Sequence, residues 1–191
     1  MRRAYDEYPP PVMPVPEIVP RETKYGLVAD GDGWFAINAT DSRWDDTVRF
    51  GFFCNFEGKS RFKQLGLNLN VLEPGQSLGY YHRERAQEDF LVLAGECLLL
   101  VEGQERPLRQ WDFVHCPPET NHIIVGAGDG PSVVLAVGAR GRKVSGIVYP
   151  VEPLALEHDV GVERETTSPK EAYAGLPEYT RCRYRPGWLP E

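Results

Sequence analysis

The sequence predicts an all-β protein in which short antiparallel strands form a sandwich or a barrel. In residues 65–71, leucine or valine alternates with glycine or asparagine, which is the period of two of a half-buried strand. Other short runs rich in β-branched and aromatic residues are separated by turn residues at short intervals. Residues 62–139 show no helical periodicity, so we expect the same architecture throughout this region.

The length and composition favour one domain with additional flanking segments. The chain has 191 residues, of which 41% are hydrophobic, enough for a sizeable core. Its net charge of −7 gives no electrostatic support for nucleic-acid binding. No apolar run approaches the ~20 residues that span a bilayer, and the N-terminus lacks the apolar region of a signal peptide. We therefore expect a cytoplasmic protein that uses neither nucleic acid nor a membrane as partner and keeps its four cysteines as free thiols.

The pattern of residue types divides the chain into a proline-rich N-terminal arm (1–24), a β-barrel domain (25–148) and a C-terminal extension (149–191). The many prolines in residues 9–20 exclude a helix and disfavour a central strand. This stretch is therefore either an extended arm that packs on a surface or a disordered tail.

The C-terminal extension contains the signal for one short helix. Ser168, Pro169 and Glu171 have the spacing of an N-cap, a first helical residue and a capping-box acid. We predict a helix at about 168–175 that ends at Gly175. The basic and aromatic stretch after it is expected to pack as a tail.

Within the barrel, residues 25–57 contain several short runs that are expected to be strands joined by turns. Residues 90–101 are apolar on both faces, and Gly95 should divide them into two strands or bend one strand. A hairpin at Gly103 and three more β-rich runs follow. Because one face of a single barrel meets solvent, the outer apolar face needs cover from the arms or from a second subunit. We therefore predict a homodimer.

Two short stretches hold side chains that suit a metal ion. His82 and Glu84 share one face of a strand, whereas Tyr81 on the opposite face is expected to meet solvent. Glu88 opens the next apolar strand, and His122 opens a later one, both in phase with inward-facing residues. A buried pair of carboxylates is costly without a cation. The sequence therefore predicts one divalent metal inside the barrel, held by His82, Glu84, Glu88 and His122.

The order and spacing of these residues resemble the cupin superfamily, from about Leu72 to Gly141. The first cupin motif has the form G(x)5HxH(x)3,4E(x)6G, and His82, Glu88 and Gly95 match its first histidine, its glutamate and its closing glycine. In the second motif, Pro117 and His122 match the proline and the histidine. The resemblance implies a double-stranded β-helix, also called a jelly-roll barrel, with an extended N-terminal arm and a short C-terminal helix added to it.

Several positions depart from the two motifs. Glu84 stands where the second histidine belongs, so it is either a ligand or a hydrogen-bonding neighbour. Six residues, not five, separate Gly75 from His82. The second motif lacks both of its glycines and its asparagine; these positions are Trp111, Glu119 and Gly126.

Two imidazoles and two carboxylates form a ligand set that suits Mn(II), Fe(II) or Zn(II). We expect a metal-binding cupin that acts on a small oxygen-rich molecule as an oxygenase, lyase or isomerase. The alternative is a non-catalytic small-molecule-binding or scaffold cupin, because this superfamily serves many functions. Candidates for holding the small-molecule ligand are Tyr80, Asn68, Asn70 and Gln87. Of the other histidines, His115 is expected to be structural or to support the site, and His158 to lie on the surface.

Overall fold

The computed structural model describes residues 13–141 and 144–190, and these residues form mainly β-structure. Two short helices follow the barrel: α1 (Pro153–Glu157) and α2 (Pro169–Ala172). The strands found in the described ranges are β1 (Arg21–Thr23), β2 (Gly26–Val28), β3 (Arg43–Asp46), β4 (Phe52–Cys54), β5 (Leu65–Leu72), β6 (Arg83–Glu84), β7 (Glu88–Ala94), β8 (Glu96–Val101), β9 (Gln104–Arg109), β10 (Phe113–Cys116), β11 (His122–Ala127), β12 (Ser132–Ala139), β13 (Ile147–Val148) and β14 (Thr180–Arg183).

The barrel consists of a seven-stranded sheet that faces a three-stranded sheet. The larger sheet has the order β10-β7-β12-β5-β4-β3-β14, and the smaller one the order β11-β8-β9. All pairings within both sheets are antiparallel. Apolar side chains from both sheets, including Phe90, Leu99 and Ile124, meet between them and form the barrel core. The prediction of an all-β jelly-roll barrel is therefore confirmed.

Gly95 separates β7 from β8, as expected. Its φ of +73° lies in the left-handed region, and a Cβ there would lie 2.6 Å from the carbonyl oxygen of Pro131. No other residue type meets both conditions without strain. The glycine therefore ends one strand of the large sheet and lets the chain cross to the small sheet.

The outer face of the large sheet is covered in part by the C-terminal tail. Trp188 stacks on Phe52 with ring centroids 4.1 Å apart and lies 5.3 Å from the ring of Trp44. Leu69 and Val71 of β5 pack into the same cluster. The tail also adds strand β14, which pairs with β3 and which the sequence did not predict.

The outer face of the small sheet is covered by α1 and the residues after it. Ala155 and Val160 pack against Leu100 and Ile123 in a second apolar cluster. Tyr81 belongs to this cluster and is only 2% exposed, so its predicted exposure to solvent is wrong. The reason is the cover that α1 provides, which the local strand pattern of Tyr81 does not reveal.

The C-terminal helix α2 forms where the sequence predicted it. The Ser168 side chain accepts a hydrogen bond from the backbone N–H of Glu171, which is the expected N-cap contact. The helix ends at Ala172, before Gly175. The other helix, α1, was not predicted, because five residues do not display a helical period.

The N-terminal arm lies only partly within the described residues, since residues 1–12 fall outside them. From Met13 the chain runs alongside Trp34, whose backbone N–H donates to Pro16 and whose carbonyl accepts from Ile18.

Two aromatic side chains near the edge strand β10 stay exposed, Trp111 at 66% and Phe113 at 64%. Among the described helices, none has the length and apolar character needed to cross a membrane.

Candidate metal centre

His82 and His122 are brought together by backbone pairing between two distant parts of the chain. The N–H of each residue donates to the carbonyl of the other, over 3.1 and 2.8 Å. Residues paired in this way project their side chains to the same face. The two imidazole rings accordingly lie with their centroids 5.1 Å apart.

Glu88 completes a group of three at the start of β7. Its neighbour across the sheet is Gly138 of β12, where an added Cβ would make an ordinary contact with Oε1 at 3.6 Å. Glu88 Oε2 lies 3.4 Å from His82 Nε2 and 3.3 Å from His122 Nε2. One ligand atom from each residue falls within 4.8 Å of the other two, so this group could hold a metal ion.

Hydrogen bonds to the backbone fix how both imidazoles present their lone pairs. His82 Nδ1 lies 2.7 Å from the carbonyl oxygen of Tyr80, and His122 Nδ1 lies 2.9 Å from that of Thr120. A carbonyl oxygen only accepts, so each Nδ1 carries the proton. In the neutral form of each ring, Nε2 is therefore unprotonated, and its lone pair points toward Glu88. A metal-binding histidine typically donates its other ring N–H to a carbonyl in the way that Nδ1 does here.

Two atoms at the centre of the group are buried without a hydrogen-bond partner. They are Glu88 Oε2 and His122 Nε2, which face each other. Buried polar atoms are nearly always satisfied, and an unsatisfied pair of lone-pair donors calls for a bound cation or a proton. The donor set therefore fits a metal ion on the basis of its own geometry.

The pKa values of the group show how strongly its members interact when no cation is present. Burial alone would raise the pKa of Glu88, but interactions with His122 and His82 lower it to about 2. Burial alone would lower the pKa of His122, but interactions with Cys116 and Glu88 raise it to about 10. A proton on His122 would thus satisfy the Glu88 carboxylate, and a metal ion must replace that proton.

Glu84 lies near the group of three but outside it. Burial and the neighbouring charge of Glu88 raise the pKa of the Glu84 carboxyl group, while His82 and His122 act in the opposite direction. Its backbone carbonyl accepts a hydrogen bond from Glu119 in the second motif. The Glu84 carboxyl group therefore interacts electrostatically with the group of three. Its role as a metal ligand stays a prediction.

The predicted pocket residues fall into two sets. Asn68 and Asn70 line a cavity of about 90 Å³ next to the histidines and Glu88. Asn70 Nδ2 donates to the backbone carbonyls of Asn68 and Val134. Tyr80 instead lines a different, larger cavity, and Gln87 is exposed and donates to Asp89. The remaining cavity wall is apolar, formed by Leu78, Phe90, Ile123, Ile124 and Ala136.

Two tyrosines next to the site were missed by the sequence analysis. Tyr149 is 3% exposed, and its ring centroid lies 6.0 Å from that of His82 and 5.8 Å from that of Tyr173. Burial, the interaction with Tyr173 and the charges of Glu84 and Glu88 raise its pKa far above the usual value, so its hydroxyl stays neutral. Both tyrosines belong to the C-terminal extension, and no local sequence signal connects them with His82.

The other two histidines lie away from the centre. His115 is on the outer face of β10, where Nδ1 lies 2.6 Å from Asp89 Oδ1. His158 follows α1 and contacts Glu105 on the surface. Neither residue belongs to the group of three.

Residues 68–138 match the family model of the cupin domain. The match begins at the fourth residue of β5 and ends one residue before the end of β12. Residues 68–138 therefore form a cupin domain. The match covers the three residues of the candidate metal centre but neither Tyr149 nor Tyr173. Cupins commonly bind a metal, and the matched part of this chain has a group of residues that could hold one.

Comparison with solved structures gives partial matches. A protein from Acidithiobacillus ferrooxidans, named provisionally as a sugar phosphate isomerase, is 30% identical over 45% of this chain with a TM-score of 0.41. The match spans 55% of that protein's length. A sugar phosphate isomerase of the cupin superfamily from Silicibacter pomeroyi is 23% identical, covering 61% of this chain and 75% of its own, with a TM-score of 0.44. A cupin protein from Bacteroides fragilis is 20% identical over 44% of this chain and 73% of its own, with a TM-score of 0.39. No curated protein matches the sequence.

Proposed function

We propose that this cupin is an enzyme that uses one divalent metal ion, held by His82, Glu88 and His122, to act on a small oxygen-rich molecule. The observation that supports it is the buried, unpartnered pair of Glu88 Oε2 and His122 Nε2, 3.3 Å apart and adjacent to His82 Nε2. Three donor atoms that converge without satisfying one another are what a cation requires.

The donor set favours Fe(II), Mn(II) or Zn(II). Two imidazoles with one carboxylate are the ligands of many non-haem Fe(II) oxygenases, where the other coordination positions stay open. A divalent ion supplies Lewis-acid polarisation of a bound oxygen atom and, for iron, redox chemistry with dioxygen. An oxygenase is therefore our first choice of reaction, with lyase and isomerase chemistry as the other candidates.

The residues around the ion have distinct tasks in this proposal. Tyr80 and Thr120 orient the histidines through their backbone carbonyls. Asn68 offers an amide group on the cavity wall that can bind hydroxyl or carbonyl oxygens of the substrate. Asn70, whose Nδ2 already donates to two backbone carbonyls, offers its amide oxygen to a substrate hydroxyl. The apolar part of the wall excludes water and strengthens these contacts.

The cavity size limits the substrate. About 90 Å³ is well below the ~300 Å³ at the lower end of drug-sized ligand pockets. The side chains of His82 and Glu88 keep 15% and 18% of their surface exposed, so the centre is connected to solvent. A small substrate that reaches the metal from this side fits the enzyme proposal. A mostly apolar wall also fits the alternative, a non-catalytic cupin that binds a small molecule.

Metal analysis of the untagged protein tests the proposal. We expect about one equivalent of Fe, Mn or Zn per chain, and turnover of small hydroxy or keto compounds in a screen with that metal. Protein that contains no transition metal, and takes up none of the three ions on dialysis, would contradict the metal centre. Stoichiometric metal without turnover of any compound would favour the non-catalytic alternative.

A pair of histidine variants assigns the ligands. His122→Ala should lower metal affinity by more than about 100-fold, beyond the 10–100-fold typical of residues that only support a ligand. His115→Ala is the matched control, because His115 pairs with Asp89 on the outer face and should leave metal content unchanged. Full metal occupancy in His122→Ala would remove His122 from the site. Glu84→Ala should match His122→Ala if Glu84 is a ligand, and have a smaller effect otherwise.

A further inference from the structure

We propose that the C-terminal extension is part of the metal centre, with Tyr173 as a positioning residue for His82 and Tyr149 as the side chain that holds His82 from the other side. The inference rests on the proposed function, because it assigns these tyrosines a role in metal binding by His82. It also extends the site beyond residues 68–138, the part of the chain that matches the cupin domain.

A short hydrogen-bond path connects Tyr173 to His82. The backbone N–H of Tyr80 donates to the Tyr173 hydroxyl oxygen over 3.1 Å. The carbonyl of the same Tyr80 accepts from His82 Nδ1 over 2.7 Å. Tyr173 thus anchors the residue that sets the tautomer and the orientation of the His82 ring. Partners of this kind fix the direction of a ligand's lone pair.

The local packing leaves the Tyr173 hydroxyl little freedom to move. Its ring lies 5.0 Å from that of Tyr80 and 5.4 Å from that of Phe50. A Cβ on Gly79 would lie 2.7 Å from the Tyr173 hydroxyl oxygen. A glycine at position 79 is therefore needed for the hydroxyl to reach the Tyr80 backbone.

Tyr149 occupies the space between Tyr173 and His82. Its ring is tilted by 45° against His82 and by 82° against Tyr173, and it is buried. Its backbone pairs with Thr166, just before α2, so the same segment that carries Tyr173 also fixes Tyr149. The two tyrosines therefore form one wall, which limits rotation of the His82 ring.

The experiment compares wild-type protein with Tyr173→Phe and the control Tyr179→Phe, all loaded with Co(II). Tyr173→Phe keeps the ring and removes the hydroxyl, which accepts from the Tyr80 backbone and also interacts with the Tyr149 side chain. We expect its Co(II) affinity, measured by chelator competition, to fall about 10-fold. The visible absorption bands of bound Co(II) should also shift, because the His82 ring is no longer held. Tyr179 is an exposed tyrosine of the same extension, and its variant should change neither quantity.

A second variant, Tyr149→Leu, tests the wall while the contact between Tyr173 and the Tyr80 backbone is kept. It should also lower the Co(II) affinity and shift the absorption bands of bound Co(II). Wild-type affinity and an unchanged spectrum in both variants would overturn the inference while leaving the proposed metal centre intact. Wild-type protein that binds no Co(II) would overturn the proposed function, and the inference with it. A loss of stability without a spectral shift would assign the tyrosines to folding alone and likewise overturn the inference.

Discussion

The barrel strands and the C-terminal extension contribute different things to the same site. The strands place His82, Glu88 and His122 through paired backbones, so the ligand positions follow from sheet register. The extension has two short helices of five and four residues, and it contacts the barrel through side chains and through the edge strand β14. It adds Tyr149 and Tyr173 at the centre and covers the outer faces of both sheets.

This difference has a consequence for stability. Backbone pairs between buried parts of the barrel open only when much of the domain unfolds, whereas short segments held by side chains and by one edge strand can detach locally. We therefore expect the ligand set to survive changes in the extension, while the orientation of the ligands and the cover of the sheets respond to them.

Removal of the main anchor of the extension should have the largest effect. Trp188 is buried against Phe52 and Trp44 on the outer face of the large sheet. Trp188→Ala should lower the free energy of unfolding by about 3–5 kcal/mol, as measured by urea denaturation, because it opens a cavity in this cluster. Tyr179→Ala, at an exposed site in the same extension, is the control and should cost under about 1 kcal/mol. Equal effects of the two variants would mean that the tail does not hold the extension in place.

The barrel side of the comparison can be tested through pH. In metal-free protein the pKa of Glu88 is lowered to about 2, so its stabilising contribution is present above 4.5 and lost as the pH falls toward 2. The pKa of His122 is raised to about 10, so its contribution is present below 6.5 and lost as the pH rises toward 10. The metal-free protein should therefore gain most from this pair between pH 4.5 and 6.5.

The measurement is the free energy of unfolding of wild type minus that of Glu88→Gln, each without metal, from about pH 3 to about pH 10. We expect a difference on the order of 2–3 kcal/mol at pH 5.5 that shrinks toward both pH 3 and pH 10. With metal bound, the loss at high pH should disappear, because the ion takes the place of the proton on His122. A difference that does not vary with pH would contradict the interaction between these two side chains.

The fold could be predicted from the sequence to the extent that its signals are local. The alternation in β5, the break at Gly95 and the N-cap at Ser168 each depend on residues within one element. The burial of Tyr81 could not be predicted, because it depends on α1, which packs on it from about 75 residues later in the chain.

The same cover from within the chain leaves less apolar surface for a partner. The homodimer stays a prediction, and light scattering that gives a mass near 21.6 kDa at micromolar concentration would refute it.

The residues of the site could likewise be predicted only where their signals are local. Strand phase and the cupin spacing pointed to His82, Glu88 and His122, which the structure brings together. Strand phase also placed Glu84 on the same face as His82; Glu84 is not one of the three grouped residues, and its role as a ligand stays a prediction. Tyr149 and Tyr173 reach the centre only through the path of the extension across the barrel. That path depends on tertiary packing, which no spacing rule describes.

The smallest effect we expect comes from the helix that carries Tyr173. Tyr173 is the C-cap residue of α2, and the Ser168 side chain caps the other end. Ser168→Ala should lower the free energy of unfolding by about 1 kcal/mol or less, because one N-cap contact is lost. The Co(II) affinity should fall by less than in Tyr173→Phe, since the hydroxyl remains and only the population of the folded helix changes. Lys170→Ala, an exposed change in the same helix, is the control. If Ser168→Ala weakened Co(II) binding more than Tyr173→Phe does, the extension would act on the metal centre through its fold as a whole, and the assignment to one hydroxyl would be wrong.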